Sequence, residues 1–281
     1  MRFASFELAG QPSYGLVAGN RVHAAGRALQ ARHPDLRSLI AADALGELVD
    51  DAGGEMLQLA DVRLLPVIPN PNKILCVGVN YRPHAEEMGR DLPDHPTVFA
   101  RFSGSLVGHG ESLVKPGASE QYDFEGELAI IIGRPARHVK REHALGYVAG
   151  YSCFMDGSVR DWQRHTTQFT AGKNFDRSGA LGPWLVARDH VDDICSVSLT
   201  TTVSGEVMQR GRIDELLFDI PAIIAYCSTF CELLPGDVIA TGTPGGVGAA
   251  RKPPRWLAAG DIVSVDLGEV GRLENPVIAE S

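Results

Sequence analysis

The chain lacks the features that mark several large classes. No apolar run approaches the ~18 residues a membrane-spanning helix needs, and Met1-Arg2-Phe3-Ala4-Ser5-Phe6-Glu7 has no signal-peptide apolar stretch. A soluble, cytoplasmic protein is expected. There is no long basic block and the net charge is −9, which makes nucleic acid and anionic membrane poor partners. An anionic substrate would need a local cationic pocket. Cys76, Cys153, Cys195, Cys227 and Cys231 are odd in number and without C-x-x-C spacing, against both a disulfide framework and a zinc knuckle. They read as small buried hydrophobes. Neither a phosphate loop ending in Gly-Lys-Ser/Thr nor a helix-opening G-x-G-x-x-G occurs, so no nucleotide site is expected. Repeats and low-complexity tracts are also missing.

What is present is a globular chain of 281 residues, 44% of them hydrophobic, enough core for one large domain or two. Residues 1–26 alternate apolar and polar, with Gly19-Asn20 as a hairpin turn signal. From Asp35, a helix N-cap, Leu36, Leu39 and Ile40 recur at helical spacing, and Leu45, Leu48 and Val49 continue it up to Gly53-Gly54. Three prolines in Pro66-Val67-Ile68-Pro69-Asn70-Pro71 read as a linker. The expectation is a small N-terminal α/β domain over residues 1–69 and a second domain over 70–281.

The second part is organised around Tyr122-Asp123-Phe124-Glu125-Gly126-Glu127-Leu128, which runs into Ala129-Ile130-Ile131-Ile132. As a strand, its period of two places Asp123, Glu125 and Glu127 on one face. Two carboxylates ~4 Å apart repel by roughly 4 kcal/mol at an effective dielectric near 20. A partly buried set is therefore protonated, well solvated or neutralised by a cation, and the third case is an oxygen-ligand site for a hard divalent ion. A solvated strand end is the alternative.

Further candidates lie around it. A buried strand, Lys73 to Val79, precedes Pro83 in the first turn of a helix on which His84 and Glu87 stand three apart, within hydrogen-bonding reach. A carboxylate that orients an imidazole makes a general base. Residues 97–117 read as short strands and turns that could form a lid. Asp156 ends the apolar strand from Val148, placed to join a site or to cap a helix from Ser158. Lys173 is a lone cation in a Gly-rich segment, and if buried it needs an anionic partner. Asp219 and Pro221 open a late helix, and Thr241-Gly242-Thr243-Pro244-Gly245-Gly246-Val247-Gly248 is a glycine loop whose amides, with Thr243, could hold a carboxylate.

Six ordered motifs carry a resemblance: Asn80-Tyr81-x-x-His84-x-x-Glu87, Glu125-x-Glu127-Leu128, Met155-Asp156-x-x-x-Arg160-Asp161-x-Gln163, Gly172-Lys173-x-Phe175, Gly182-Pro183, and Leu234-Pro235-Gly236-Asp237 through Gly248. Spread over roughly residues 70–275, they resemble the fumarylacetoacetate hydrolase family, acylpyruvate hydrolases among it. The resemblance implies an α+β, mainly β fold with a mixed, rolled sheet, usually in a homodimer. It implies one Mg or Mn ion on Glu125, Glu127 and Asp156, and a water-activating His84–Glu87 dyad under a flexible lid. Lys173 would be catalytic and substrate-binding, with Tyr81, Arg160, Gln163 and Thr243 as further substrate contacts. Pro83 departs from the acidic or polar residue that many members carry before the histidine.

The implied activity is hydrolysis of a carbon–carbon bond in an acylpyruvate such as fumarylpyruvate, maleylpyruvate or fumarylacetoacetate. A hard cation would stabilise the enolate that cleavage leaves, and His84 would activate the water. Relatives on the same scaffold include decarboxylases, isomerases, hydratases and lyases of 2-oxo acids such as oxaloacetate, and fold does not decide among them. A non-catalytic keto-acid-binding protein is the remaining alternative.

Overall fold

The computed structural model describes all 281 residues. Local signals form the elements expected of them. Gly19-Asn20 closes a two-residue hairpin loop in which Ala18 pairs with Arg21. The Asp35 side chain accepts from Ser38 N at 2.7 Å and caps Leu36–Ala41, and Leu36, Leu39 and Ile40 are its buried face. Asp219 accepts from Ala222 N and caps the longest helix, Ile220–Phe230.

A 12-stranded mixed sheet forms the frame. Along its path lie Met56–Gln58, Arg21–Ala24, Gln11–Ala18, Arg2–Leu8, Gly179–Ala187, Val148–Met155, Gly126–Ile132, Val238–Ala240, Ile74–Gly78 and Thr97–Arg101. A second sheet of five strands, built on Ser198–Val203, Ile262–Asp266 and Arg272–Ala279, packs against it. The fold is thus mixed α/β with rolled, largely antiparallel sheets, as the resemblance implied.

The central strand Gly126–Ile132 shows why its sequence is an unbroken apolar run. Leu128, Ile130 and Ile132 join the core shared with the second sheet, while Ala129 and Ile131 face a core that contains Phe3, Leu36 and Leu39 of the N-terminal segment. A strand covered on both faces has no polar side to display. Gly126 lets the second sheet approach closely, since a Cβ there would stand 2.1 Å from Thr201 Oγ1.

Two expectations meet a different arrangement. Residue 69 is not a break in the sheet: Arg2 and Phe3 pair with Val186 and Leu185, so the N-terminal strands extend the main sheet and share its core. Residues 97–117 do not form a lid. Thr97–Arg101 pairs along its whole length with Ile74–Gly78, and Leu106–Val107 adds in parallel to Gly179–Ala187, because ladder hydrogen bonds satisfy backbone that a lid would leave in water.

Candidate active site

The site forms where two neighbouring strands end. Gly126–Ile132 and Val148–Met155 pair antiparallel with Gly126 opposite Met155, and Asp156 N donates to Glu125 O at 2.8 Å. That register brings Glu125 and Glu127 beside Asp156, and ligand oxygens of the three lie within 4.8 Å of one another, all buried. The acidic stretch is not one strand. Tyr122–Asp123 pairs separately with Ser158–Val159, and the chain breaks at Phe124-Glu125. Asp123 therefore leaves the face it was expected to share, and accepts instead from Arg160 Nε at 2.8 Å and from the amides of Gly248 and Ala249.

Three buried cations balance most of this charge. Lys173 Nζ donates to Glu125 Oε2 at 2.6 Å and to Asp156 Oδ2 at 2.5 Å. Arg160 Nη2 donates to Glu125 Oε1 at 2.5 Å, and Arg101 Nη1 to Asp156 Oδ1 at 2.5 Å. Four buried acids (Asp123, Glu125, Glu127, Asp156) face three buried bases (Arg101, Arg160, Lys173), one charge short of neutrality. The shortfall sits at Glu127, which accepts only from Gly242 N, at 2.7 Å. Burial, with Asp156 and Glu125 adding to it, pushes the Glu127 carboxyl well above the usual range. Burial also opposes the charge on Glu125, but Arg160, Lys173 and His84 outweigh it and hold that carboxyl well below the usual range. An all-oxygen donor set with one uncompensated carboxylate fits a hard divalent cation.

The histidine pair adjoins the acids. Asn80 fixes the start of helix Arg82–Glu87, its Nδ2 donating to Phe218 O and Thr241 O while its Oδ1 accepts from Phe218 N. His84 Nδ1 lies 2.9 Å from Glu87 Oε1, and Gly246 N donates to Glu87 Oε2. A carboxylate only accepts, so Nδ1 carries the proton and Nε2 is left free. Nε2 lies 3.9 Å from Glu125 Oε1, facing the acid cluster.

The glycine loop works differently from the expectation. Its amides hold the protein's own acids, Gly242 on Glu127, Gly246 on Glu87 and Gly248 on Asp123, rather than a free carboxylate. Positive φ at Gly242 (+106°) and Gly246 (+105°) aims these amides, a conformation that favours glycine. The Thr243 hydroxyl likewise donates to Gly126 O and accepts from Gln209 Nε2.

The cavity over the acids has a volume of about 40 Å³ and is lined by His84, Glu125, Glu127, Asp156, Arg160, Gln163, Lys173 and Thr243, together with Arg90, Phe99, Arg164 and Phe169. Most of the expected site residues therefore converge. Tyr81 does not line it; the side chain is buried and its hydroxyl has no hydrogen-bond partner. Arg160 lines the cavity but is 1% exposed, with Nε, Nη1 and Nη2 on Asp123, Gln163 and Glu125. Its guanidinium organises the site and is not free for a substrate carboxylate. The sequence reading missed Arg101 and Gln209, neither of which stands in a motif. A larger cavity, about 590 Å³, lies elsewhere, against Phe3, Ile40, Arg134 and Arg188, and contains none of these acids.

A mixed rolled sheet here carries a buried carboxylate cluster that could hold a cation, beside a histidine–glutamate pair, an arrangement of the enzyme class. Residues 73–278 match the family model described as fumarylacetoacetate (FAA) hydrolase C-terminal, and the chain belongs to this enzyme family. It is 39% identical over 230 residues to the mitochondrial oxaloacetate tautomerase fahd2 of Xenopus laevis, covering 81% of this chain and 72% of that one. It is also 39% identical over 233 residues to oxaloacetate tautomerase YisK of Bacillus subtilis, covering 81% and 77%. The maleylpyruvate hydrolase of Sphingobium sp. SYK-6, solved with manganese(II) and pyruvate, superposes over the whole of both chains with a TM-score of 0.82 at 30% identity.

Proposed function

We propose that the protein is a metal-dependent tautomerase that interconverts the keto and enol forms of oxaloacetate or a similarly short 2-oxo acid. The observation that carries this reading is the free His84 Nε2, oriented by Glu87 and facing the carboxylate cluster within one small cavity. Two relatives near 39% identity are oxaloacetate tautomerases. Glu125, Glu127 and Asp156 would hold one Mg or Mn ion per chain. Bound there, the ion supplies a Lewis acid that polarises the 2-oxo group and favours the enolate charge. His84 Nε2 takes the proton from C3 as that C–H bond breaks. Glu87 stabilises the resulting imidazolium, and the same proton is returned to the enolate oxygen, which leaves no net change in charge or composition. Lys173 and Arg160 keep Glu125 ionised throughout. A homodimer remains part of this proposal.

Hydrolysis of an acylpyruvate is the second reading, favoured by the whole-chain match to the maleylpyruvate hydrolase. One experiment separates the two. Decay of the enol absorbance of oxaloacetate is followed with the Mg- or Mn-loaded protein, alongside pyruvate release from acylpyruvates. Tautomerisation above the buffer rate, lost in chelator, supports the first reading. Pyruvate release without enol decay would replace it with the second.

A further inference from the structure

The buried cations of the site are all engaged by its own acids: Arg101 on Asp156, Arg160 on Asp123 and Glu125, and Lys173 on Glu125 and Asp156. Two other arginines, Arg90 and Arg164, line the same cavity from its exposed side. Neither side chain makes an ion pair or a hydrogen bond within the protein, in a chain whose net charge is −9 and whose exposed arginines are often paired with acids. Arg90 has a defined place nonetheless. Its guanidinium lies 5.5 Å from the centroid of the Phe169 ring, Phe169 packs edge-on against Phe99 at 5.6 Å, and the Phe99 ring lies 5.0 Å from Lys173 Nζ. An aromatic wall thus runs from the acid cluster to the arginine, and stacking holds the guanidinium without using its donors.

We propose that Arg90 and Arg164 bind a second, distal carboxylate of the substrate and make the site selective for 2-oxo dicarboxylates over 2-oxo monocarboxylates. This rests on reading the cavity as the substrate site. The 2-oxo acid end meets the metal-ready acids and His84, and the far end leaves the narrow cavity at the two free guanidinium groups. Arginine suits the role because its planar fork matches a carboxylate and its charge persists at every working pH. Selection works in both directions. A dicarboxylate gains charge-assisted hydrogen bonds, while an apolar tail must strip water from two arginines and returns nothing for it.

The test uses Arg90→Gln, Arg164→Gln and the double variant, all Mg-loaded. Both side chains are exposed, so melting temperatures should match that of the parent. The kcat/KM for a 2-oxo dicarboxylate relative to that for a 2-oxo monocarboxylate should fall about tenfold to a hundredfold in the double variant, mostly through KM, with Arg→Lys variants intermediate. Direct calorimetric binding of 2-oxoglutarate and 2-oxobutyrate is measured in parallel. If tautomerase turnover is absent but the parent prefers the diacid and the double variant does not, the inference stands and the proposed reaction falls. If turnover is present but the parent shows no diacid preference, or the double variant keeps it, the inference is overturned and the reaction stands. A parent that neither turns over nor prefers the diacid overturns both.

Discussion

Arg101 Nη1 donates to Asp156 Oδ1 at 2.5 Å, and both side chains are wholly inaccessible to water. The same guanidinium also reaches Gly157 O and Ser178 Oγ, so Arg101 locks the turn that carries Asp156. Replacing it with methionine leaves a buried carboxylate short of its cation. Arg101→Met should lose about 3–5 kcal/mol of stability, read as a lower denaturant midpoint with an unchanged m-value. A loss below about 1 kcal/mol, the scale of an exposed ion pair, would show that Asp156 does not depend on it.

Glu125 and Glu127 are two residues apart on one chain segment yet should respond oppositely to neutralisation. Glu125→Gln in metal-free protein removes one of the two carboxylate partners of Arg160, which keeps Asp123, and of Lys173, which keeps Asp156, and should lower the melting temperature. Glu127→Gln removes the carboxylate that burial already disfavours, and should leave the metal-free protein as stable as the parent or more so. Both variants should weaken Mg and Mn binding in calorimetry, since each loses an anionic oxygen ligand. A Glu127→Gln variant that binds Mg as tightly as the parent would remove Glu127 from the metal site.

His84→Ala should reduce enol–keto interconversion by about 100- to 10,000-fold, the usual worth of a positioned acid–base group, while bound metal, measured by elemental analysis, stays constant. Glu87→Gln should cost less, because the amide can still accept from Nδ1 but no longer stabilises the imidazolium electrostatically. An unimpaired rate in His84→Ala would show that the proton is carried by another group.

Stability should also fall on mild acidification through His109. Its Nδ1 accepts from Glu274 N at 3.0 Å, and burial lowers its pKa from 6.5 even though Glu274 pulls the other way. The unfolded chain therefore takes up this proton at a higher pH than the folded one. The stabilisation is complete above pH 6.5 and is lost as pH falls through the depressed folded value. His109→Gln should flatten the stability profile on the acid side of pH 6.5. An unchanged slope just below pH 6.5 would assign the proton uptake to other groups.

What the sequence by itself determined was local. The Gly19-Asn20 loop, the caps at Asp35 and Asp219 and the His84–Glu87 pair each depend on residues no more than four apart, and the geometry of one turn suffices to bring them together. The ordered motifs also carried the three-carboxylate cluster and the family. Only the tertiary structure decided how the charges are shared. Arg101 meets Asp156 across 55 positions, Arg160 turns inward to Asp123 and Glu125, and the Gly242 amide holds Glu127 from 115 positions away. It also joined Arg2–Leu8 to Gly179–Ala187 across the expected domain boundary. These pairings follow from strand register in a sheet whose neighbours are distant in the chain. The residues around an arginine in the chain give no sign of which carboxylate will stand opposite it, and burial then makes that partner obligatory.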